Sequence, residues 1–124
     1  MTYLPEVHTE EETRGWIRGL VLEEQEVWVA DDGKQVVGFA ALGDGLLEHL
    51  YVAPERQRQG VGTELFHIAT RRRPDGFRLW IFQKNLGAWR FYERLGCRVV
   101  ELTDGSGNEE REPDALFEWR PEPV

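Results

Sequence analysis

The stretch LLEHLYVAPERQRQGVGTELFHIAT, residues 46–70, decides the reading of this chain. Leu46 to Val52 reads as a strand, and Pro54 ends it because proline brings no N–H to a ladder. Arg56 to Thr63 form a tight basic turn holding Gly60 and Gly62. Leu65, Phe66, Ile68 and Ala69 give the helix that follows, about Gly62 to Arg72, one apolar face. A helix that opens on glycines points unpaired N–H groups into the turn, and its dipole makes that end positive. Such an end is an anion site, and phosphate is its usual occupant.

A Gly-x-Gly pair also fits a turn that needs only flexibility. Here it follows a strand directly, opens a helix, and has Arg56 and Arg58 beside it. The Lys-Ser/Thr pair of a nucleoside-triphosphate loop is absent, so magnesium-dependent phosphoryl transfer is not supported. Leu65 stands where a dinucleotide fingerprint needs its third glycine.

Upstream, Thr9 and Glu12 make a capping-box pattern. The spacing of Trp16, Ile17, Leu20 and Val21 predicts a helix over Glu10–Leu22, although Gly15 and Gly19 inside it each cost about 1 kcal/mol against alanine. The two glycines leave a flat strip, which suits close packing or a ligand beside the helix. Glu26–Ala30 and Val36–Leu42 read as strands joined by the turn Asp31-Asp32-Gly33-Lys34. With Leu46–Val52 they form an antiparallel meander.

Downstream, Arg71-Arg72-Arg73 closes the helix where cations suit its negative end, a helix-end cluster rather than a nucleic-acid site. Phe77–Phe82 is a strand. Asn85 caps a helix over Leu86–Leu95, whose Ala88, Phe91, Tyr92 and Leu95 share one face. Gly96 suits the left-handed position after it. Cys97–Leu102 and Ala115–Arg120 are strands around a polar loop, Thr103–Asp114. Two strand–helix–strand connections in the second half predict a sheet that is antiparallel first and parallel in its centre.

With 124 residues the chain is expected to form one domain, 1–124. A net charge of −8 argues against nucleic acid as partner and is compatible with a cationic amine. A lone Cys97 makes neither an internal disulfide nor a metal cluster, and a reducing cytoplasm is the expected location. His8, His49 and His67 lack metal spacing, so no metal is expected. No apolar run is long enough for a membrane span.

Two motifs together carry a family resemblance. Gln57-x-x-Gly60-x-Gly62, after Leu50-Tyr51-Val52-Ala53-Pro54, resembles the pyrophosphate loop and preceding strand of the GNAT superfamily of N-acetyltransferases. Asn85, Ala88 and Phe91-Tyr92-Glu93-Arg94-Leu95-Gly96-Cys97 resemble its second signature, with Cys97 in place of an aromatic. The resemblance covers about Gln25 to Arg120.

It implies an α/β (α+β) fold: a mixed, mostly antiparallel central sheet with helices on both faces. The usual first strand and first helix are expected to be missing or shortened, because Tyr3–Val7 is short and interrupted by Pro5. It implies acetyl-CoA as co-substrate, held at its pyrophosphate by Gln57, Arg58, Gln59, Gly60, Val61, Gly62 and Thr63. It implies that the backbone of Leu50, Tyr51 and Val52 pairs with the pantetheine arm, which needs a free strand edge and a bulge to create it. Asn85 would bond the pantetheine, and Tyr92 would protonate the leaving thiolate.

The reaction implied is direct acyl transfer to a primary amine of a small molecule or protein. Its base candidate is Glu48, on the strand that leads to the acetyl site, with a solvated carboxylate as the plain alternative. Strand alternation points His49 to the opposite face. For Tyr92 the plain alternative is a core tyrosine. The acidic loop 104–114 either holds a cationic amine or is simply solvated. A shortened N-terminus would leave apolar surface open, so a homodimer is expected. The competing function is a non-catalytic acyl-CoA-binding or regulatory module.

Overall fold

The computed structural model describes residues 2–3, 7–8, 16–21 and 25–121. Its chain divides into two compact units, Met1–Arg73 and Pro74–Val124.

In the first unit the strands are β1 (Thr2–Tyr3), β2 (Val7–His8), β3 (Trp16–Val21), β4 (Glu26–Asp31), β5 (Val36–Leu42) and β6 (Leu47–Val52). They pair in the order β1-β3-β4-β5-β6, with β2 also on β3. After β6 come a 3-10 turn, Pro54–Arg56, and helix α1, Val61–Arg72. Val61, Leu65, Phe66, Ile68 and Ala69 of α1 are buried, and the helix lies on β4, β5 and β6. Gly38 permits that approach: a Cβ there would lie 3.2 Å from Val61 Cγ1 and 3.3 Å from Leu65 Cδ1.

The helix predicted over Glu10–Leu22 is corrected where it can be seen, because Trp16–Val21 is strand β3. Its other residues lie outside those described. The spacing of Trp16, Ile17, Leu20 and Val21 fits a helix, but the segment pairs with β4 along its whole length, from Trp16 opposite Asp31 to Val21 opposite Glu26. Ile17 and Gly19 are buried on one side, whereas Arg18 is exposed. Cross-strand pairing outweighs a helical signal already weakened by glycine. Gly19 stands opposite Trp28, and Gly15, the other glycine of the expected strip, lies outside the described residues.

Two arginines of the triplet, Arg72 and Arg73, have a structural role at the end of α1. Glu26 is 8% exposed. It accepts bonds from Trp28 Nε1 at 2.8 Å, Arg72 Nε at 2.5 Å and Arg73 Nη1 at 3.3 Å. The Arg72 guanidinium also sits 5.6 Å from the Trp28 ring centroid. Burial works against this carboxylate's charge, but the bonds from Arg72, Trp28 and Arg73 together hold its pKa below the ordinary value. A depressed folded-state pKa stabilises the fold above the ordinary carboxylate range, and that contribution is lost as the pH falls through the folded value. Glu26→Gln is therefore expected to lose about 1–2 kcal/mol at pH 7, and less at pH 3. Urea unfolding of both proteins at the two pH values checks this, and equal losses would count against it.

The second unit holds β7 (Phe77–Phe82), α2 (Leu86–Arg94), β8 (Arg98–Leu102) and β9 (Asp114–Trp119). Its sheet runs β7-β9-β8 with antiparallel pairs throughout. The parallel centre predicted from the sequence is corrected here, since every strand pair among the described residues is antiparallel. The crossover β7–α2–β8 does set β7 and β8 in the same direction. However, β9 inserts between them and takes the hydrogen bonds of both. Ala115, Leu116 and Phe117 are accordingly buried.

Three arginines surround the buried Glu118 on one face of this sheet, with Arg78 at 3.0 Å, Arg98 at 3.4 Å and Arg120 at 2.9 Å. On the other face Trp89 of α2 meets Phe117 edge-on at 4.9 Å. Among the described residues the architecture is thus α+β, with antiparallel sheets and two α-helices.

Candidate active site

The turn after β6 has the backbone of an anion cradle. Arg58 has φ 66° and Gly60 has φ 89°, both left-handed. A left-handed arginine costs about 1–2 kcal/mol and persists only where its surroundings enforce it. The first bond of the α1 ladder runs from Glu64 N–H to Gly60 C=O. The N–H groups of Val61, Gly62 and Thr63 therefore precede the ladder, and no side chain caps them. They point outward at the positive end of a twelve-residue helix.

The two arginines of the turn differ. Arg56 reaches back to the β4–β5 turn and pairs with Asp32 at 3.0 Å. Asp32 also accepts the N–H groups of Lys34 and Gln35, which with the Arg56 charge hold its pKa below the ordinary value. Arg56 thus ties the cradle to the hairpin, while Arg58 is exposed at its rim. Gln57 Nε2 lies 3.3 Å from Val52 C=O, and Gln59 Nε2 lies 3.4 Å from Glu55 C=O.

β6 ends its sheet's pairing path, bonded to β5 on one side only. Ala53 N–H donates to Val37 C=O at 2.8 Å, and the Tyr51 carbonyl would lie 2.7 Å from a Cβ on Gly38. Tyr51 therefore turns its backbone groups toward β5. By two-residue alternation, Leu50 and Val52 turn theirs toward the free edge. Among the three strand residues named from sequence, these two have backbone groups available for a further extended chain.

Glu48 is a bulge. Ala41 pairs with His49 and Leu42 with Leu47, so Glu48 is an extra residue on β6. This corrects the expectation that His49 faces away from Glu48. His49 shares a face with Phe39, 6.3 Å between ring centroids. Glu48 lies on that face too. Its carboxylate covers Gly43 and accepts a hydrogen bond from Gln25. Gln25 precedes Glu26, whose own side chain turns the other way, toward α1. The resemblance implied a bulge on this strand but not its place, and at Glu48 it breaks the alternation that sequence reasoning assumed.

Asn85 and Tyr92 belong to the second unit. Asn85 Oδ1 accepts from Ala88 N–H at 3.1 Å and caps α2, which leaves its amide N–H₂ as the outward donor. Tyr92 is the buried residue of α2 and lies 6.4 Å from the Phe117 ring. Burial, with a smaller electrostatic effect of Cys97, raises the Tyr92 pKa well above that of an ordinary phenol. Such a phenol stays protonated at neutral pH, so it can give a proton but cannot serve as a base. Cys97 is buried, and burial pushes its thiol up to about 12, which rules out an activated thiolate.

The acidic loop 104–114 is largely engaged with itself. Asp114 accepts from Thr103 and Asn108, Glu112 pairs with Lys84 at 3.1 Å, and Asp104 accepts Ser106 N–H. Glu109 and Glu110 are exposed.

A glycine-bearing turn at a helix N-terminus therefore follows an edge strand whose bulge carries a carboxylate. The chain belongs to the GNAT acetyltransferase family: the family model described as "Acetyltransferase (GNAT) domain" matches residues 23–98. The peptidyl-lysine N-acetyltransferase YiaC of Escherichia coli is 30% identical over 86 residues, which are 68% of this chain and 58% of that protein. The chain aligns with 28% to 58% of the length of three such relatives. Among solved structures, nourseothricin acetyltransferase has a TM-score of 0.70 at 25% identity, covering 79% of this chain and 66% of the other. An Elizabethkingia anophelis GNAT family acetyltransferase with acetyl-CoA bound has a TM-score of 0.66 at 15% identity, covering 79% and 77%.

Proposed function

We propose that this chain is an acetyl-CoA-dependent N-acetyltransferase that moves an acetyl group to a primary amine of a small molecule or protein. The observation that carries this reading is the cradle from Gln57 to Thr63, which turns the free N–H groups of α1 outward directly after an edge strand. Pyrophosphate is the anion that suits it in this family, and the acetyl-CoA-bound relative supports the choice. Gln57, Arg58, Gln59, Gly60, Val61, Gly62 and Thr63 hold the pyrophosphate. The outward backbone groups of Leu50 and Val52 pair with the pantetheine, and the Asn85 amide donates to it.

The amine must shed a proton before its lone pair can attack the thioester carbonyl, and Glu48 takes that proton. The C–N bond forms, the C–S bond breaks, and Tyr92 gives its phenolic proton to the departing thiolate. Homodimerisation and a cytoplasmic location belong to the same proposal and rest on the sequence reasoning alone.

The test is release of free thiol from acetyl-CoA with three probes: a lysine-bearing peptide, a peptide with a free α-amine, and an alkyl diamine. Tight acetyl-CoA binding with no thiol release would favour the non-catalytic module. Glu48→Gln is expected to lower kcat at least tenfold with the acetyl-CoA Kd unchanged, as loss of a general base does. Wild-type turnover would remove that role. Gly60→Val places a β-branched residue at φ 89°. The cradle is expected to deform, and the acetyl-CoA Kd by calorimetry to rise about thirtyfold or more, a loss of about 2 kcal/mol. An unchanged Kd would place the pyrophosphate elsewhere.

A further inference from the structure

We infer that Gln25 is the positioning residue of the proposed base, with Gly43 as its necessary counterpart. The inference rests on the assignment of Glu48 as base. Three features converge on one carboxylate. The bulge lifts Glu48 out of the β5–β6 pairing, which frees its side chain from a fixed pleat direction. Gln25, just ahead of β4, donates its amide Nε2–H to Glu48 Oε2. Gly43, just past β5, leaves the space the carboxylate fills. A Cβ there would lie 2.9 Å from Glu48 Cδ, 3.0 Å from Oε1 and 3.1 Å from Oε2.

The two supports are themselves neighbours. Glu26 pairs with Leu42, so Gln25 and Gly43 flank that pair at the same end of the sheet. A glutamate on an exposed bulge otherwise samples many rotamers. The amide on one oxygen and the bare Cα beneath hold it in one. Among the described residues the amide bond goes to Oε2 alone, and Oε1 is the oxygen left to take the proton from an acceptor amine. Preorganisation of this kind matters because a base misplaced by about 1 Å can slow a reaction up to a hundredfold.

The arrangement is specific to the chain's tertiary pairing. Gln25 is 23 residues from Glu48, and no motif in the sequence joins them.

The experiment is a double-mutant cycle on the full chain, following thiol release from acetyl-CoA with whichever of the three amine probes the wild type acetylates fastest. Gln25→Leu keeps the bulk and removes the donor. It is expected to lower kcat about tenfold, with the KM for acetyl-CoA and the Tm unchanged. Gly43→Ala, which displaces the carboxylate directly, is expected to match it. In a Glu48→Gln background, adding Gln25→Leu is expected to change kcat less than about twofold, because a residue that acts through Glu48 has nothing left to position.

If Glu48→Gln is slow but Gln25→Leu and Gly43→Ala run at the wild-type rate, the positioning role is overturned and the base stands. Losses that multiply in the double mutant mean that Gln25 acts independently, which also overturns the inference. A Glu48→Gln variant at wild-type speed, or a wild type that acetylates none of the probes, overturns both the base assignment and the inference.

Discussion

Tyr92→Phe is expected to lower kcat about a hundredfold while the acetyl-CoA Kd stays within about twofold of wild type. A hundredfold corresponds to about 2.7 kcal/mol of transition-state stabilisation. Tyr92 is 7% exposed, and its desolvated phenol holds its proton far above neutral pH. A leaving thiolate is a weaker base than this phenolate, so the proton moves only in concert with C–S cleavage, which spares the site from expelling a free thiolate. Phenylalanine keeps the ring, its packing near Phe117 and the α2 backbone, and removes the hydroxyl. The expected signature is therefore a fall in kcat with little change in binding. Steady-state kinetics with calorimetry separate the two quantities. Equal losses in kcat and affinity would make Tyr92 a structural residue, and an unchanged kcat would leave the thiolate to be protonated by water.

Phe117→Ala is expected to destabilise the second unit by about 3–5 kcal/mol, the range for truncating a fully buried phenylalanine. Phe117 has no exposed surface and lies on β9, flanked by Leu79 of β7 and Val99 of β8. Trp89 meets its ring at an interplanar angle of 87°. Truncation would remove the shared wall beneath Trp89 and Tyr92, and α2 has few other anchors, since Tyr92 is its one buried residue. A fall in the urea midpoint with an unchanged slope would confirm a loss of native stability. A loss under about 1 kcal/mol would mean that Trp89 collapses into the space.

The meander and the β7–α2–β8 crossover were legible because their signals are local. Val36–Leu42 and Phe77–Phe82 stand where their apolar runs predict, and α1 begins within one residue of the expected position. Asn85 caps α2 as its residue type predicts. Gly60 takes the left-handed conformation, as a glycine ahead of a helix can. Trp89 went unread as a core contact because it lies outside the i, i+3, i+4 face chosen for α2, yet it meets Phe117. From sequence Arg56 is only a charge beside the glycines, because charge in a turn does not reveal whether a carboxylate folds back on it.

What the sequence determined by itself is the part of the chain whose signals are local. It identified the strand, the glycine cradle and the two motifs that place the chain in its family, because the spacing of Gln57, Gly60, Gly62, Asn85 and Tyr92 lies within single turns and helices. Only the tertiary structure decided three further features: Trp16–Val21 as a strand, β9 as the central strand of its sheet, and the bulge that turns Glu48 and His49 to one face beside Gln25 and Gly43. Each depends on which strand lies alongside and in what register. That choice is made by side chains far apart in the chain, through cross-strand packing that no local window of sequence contains.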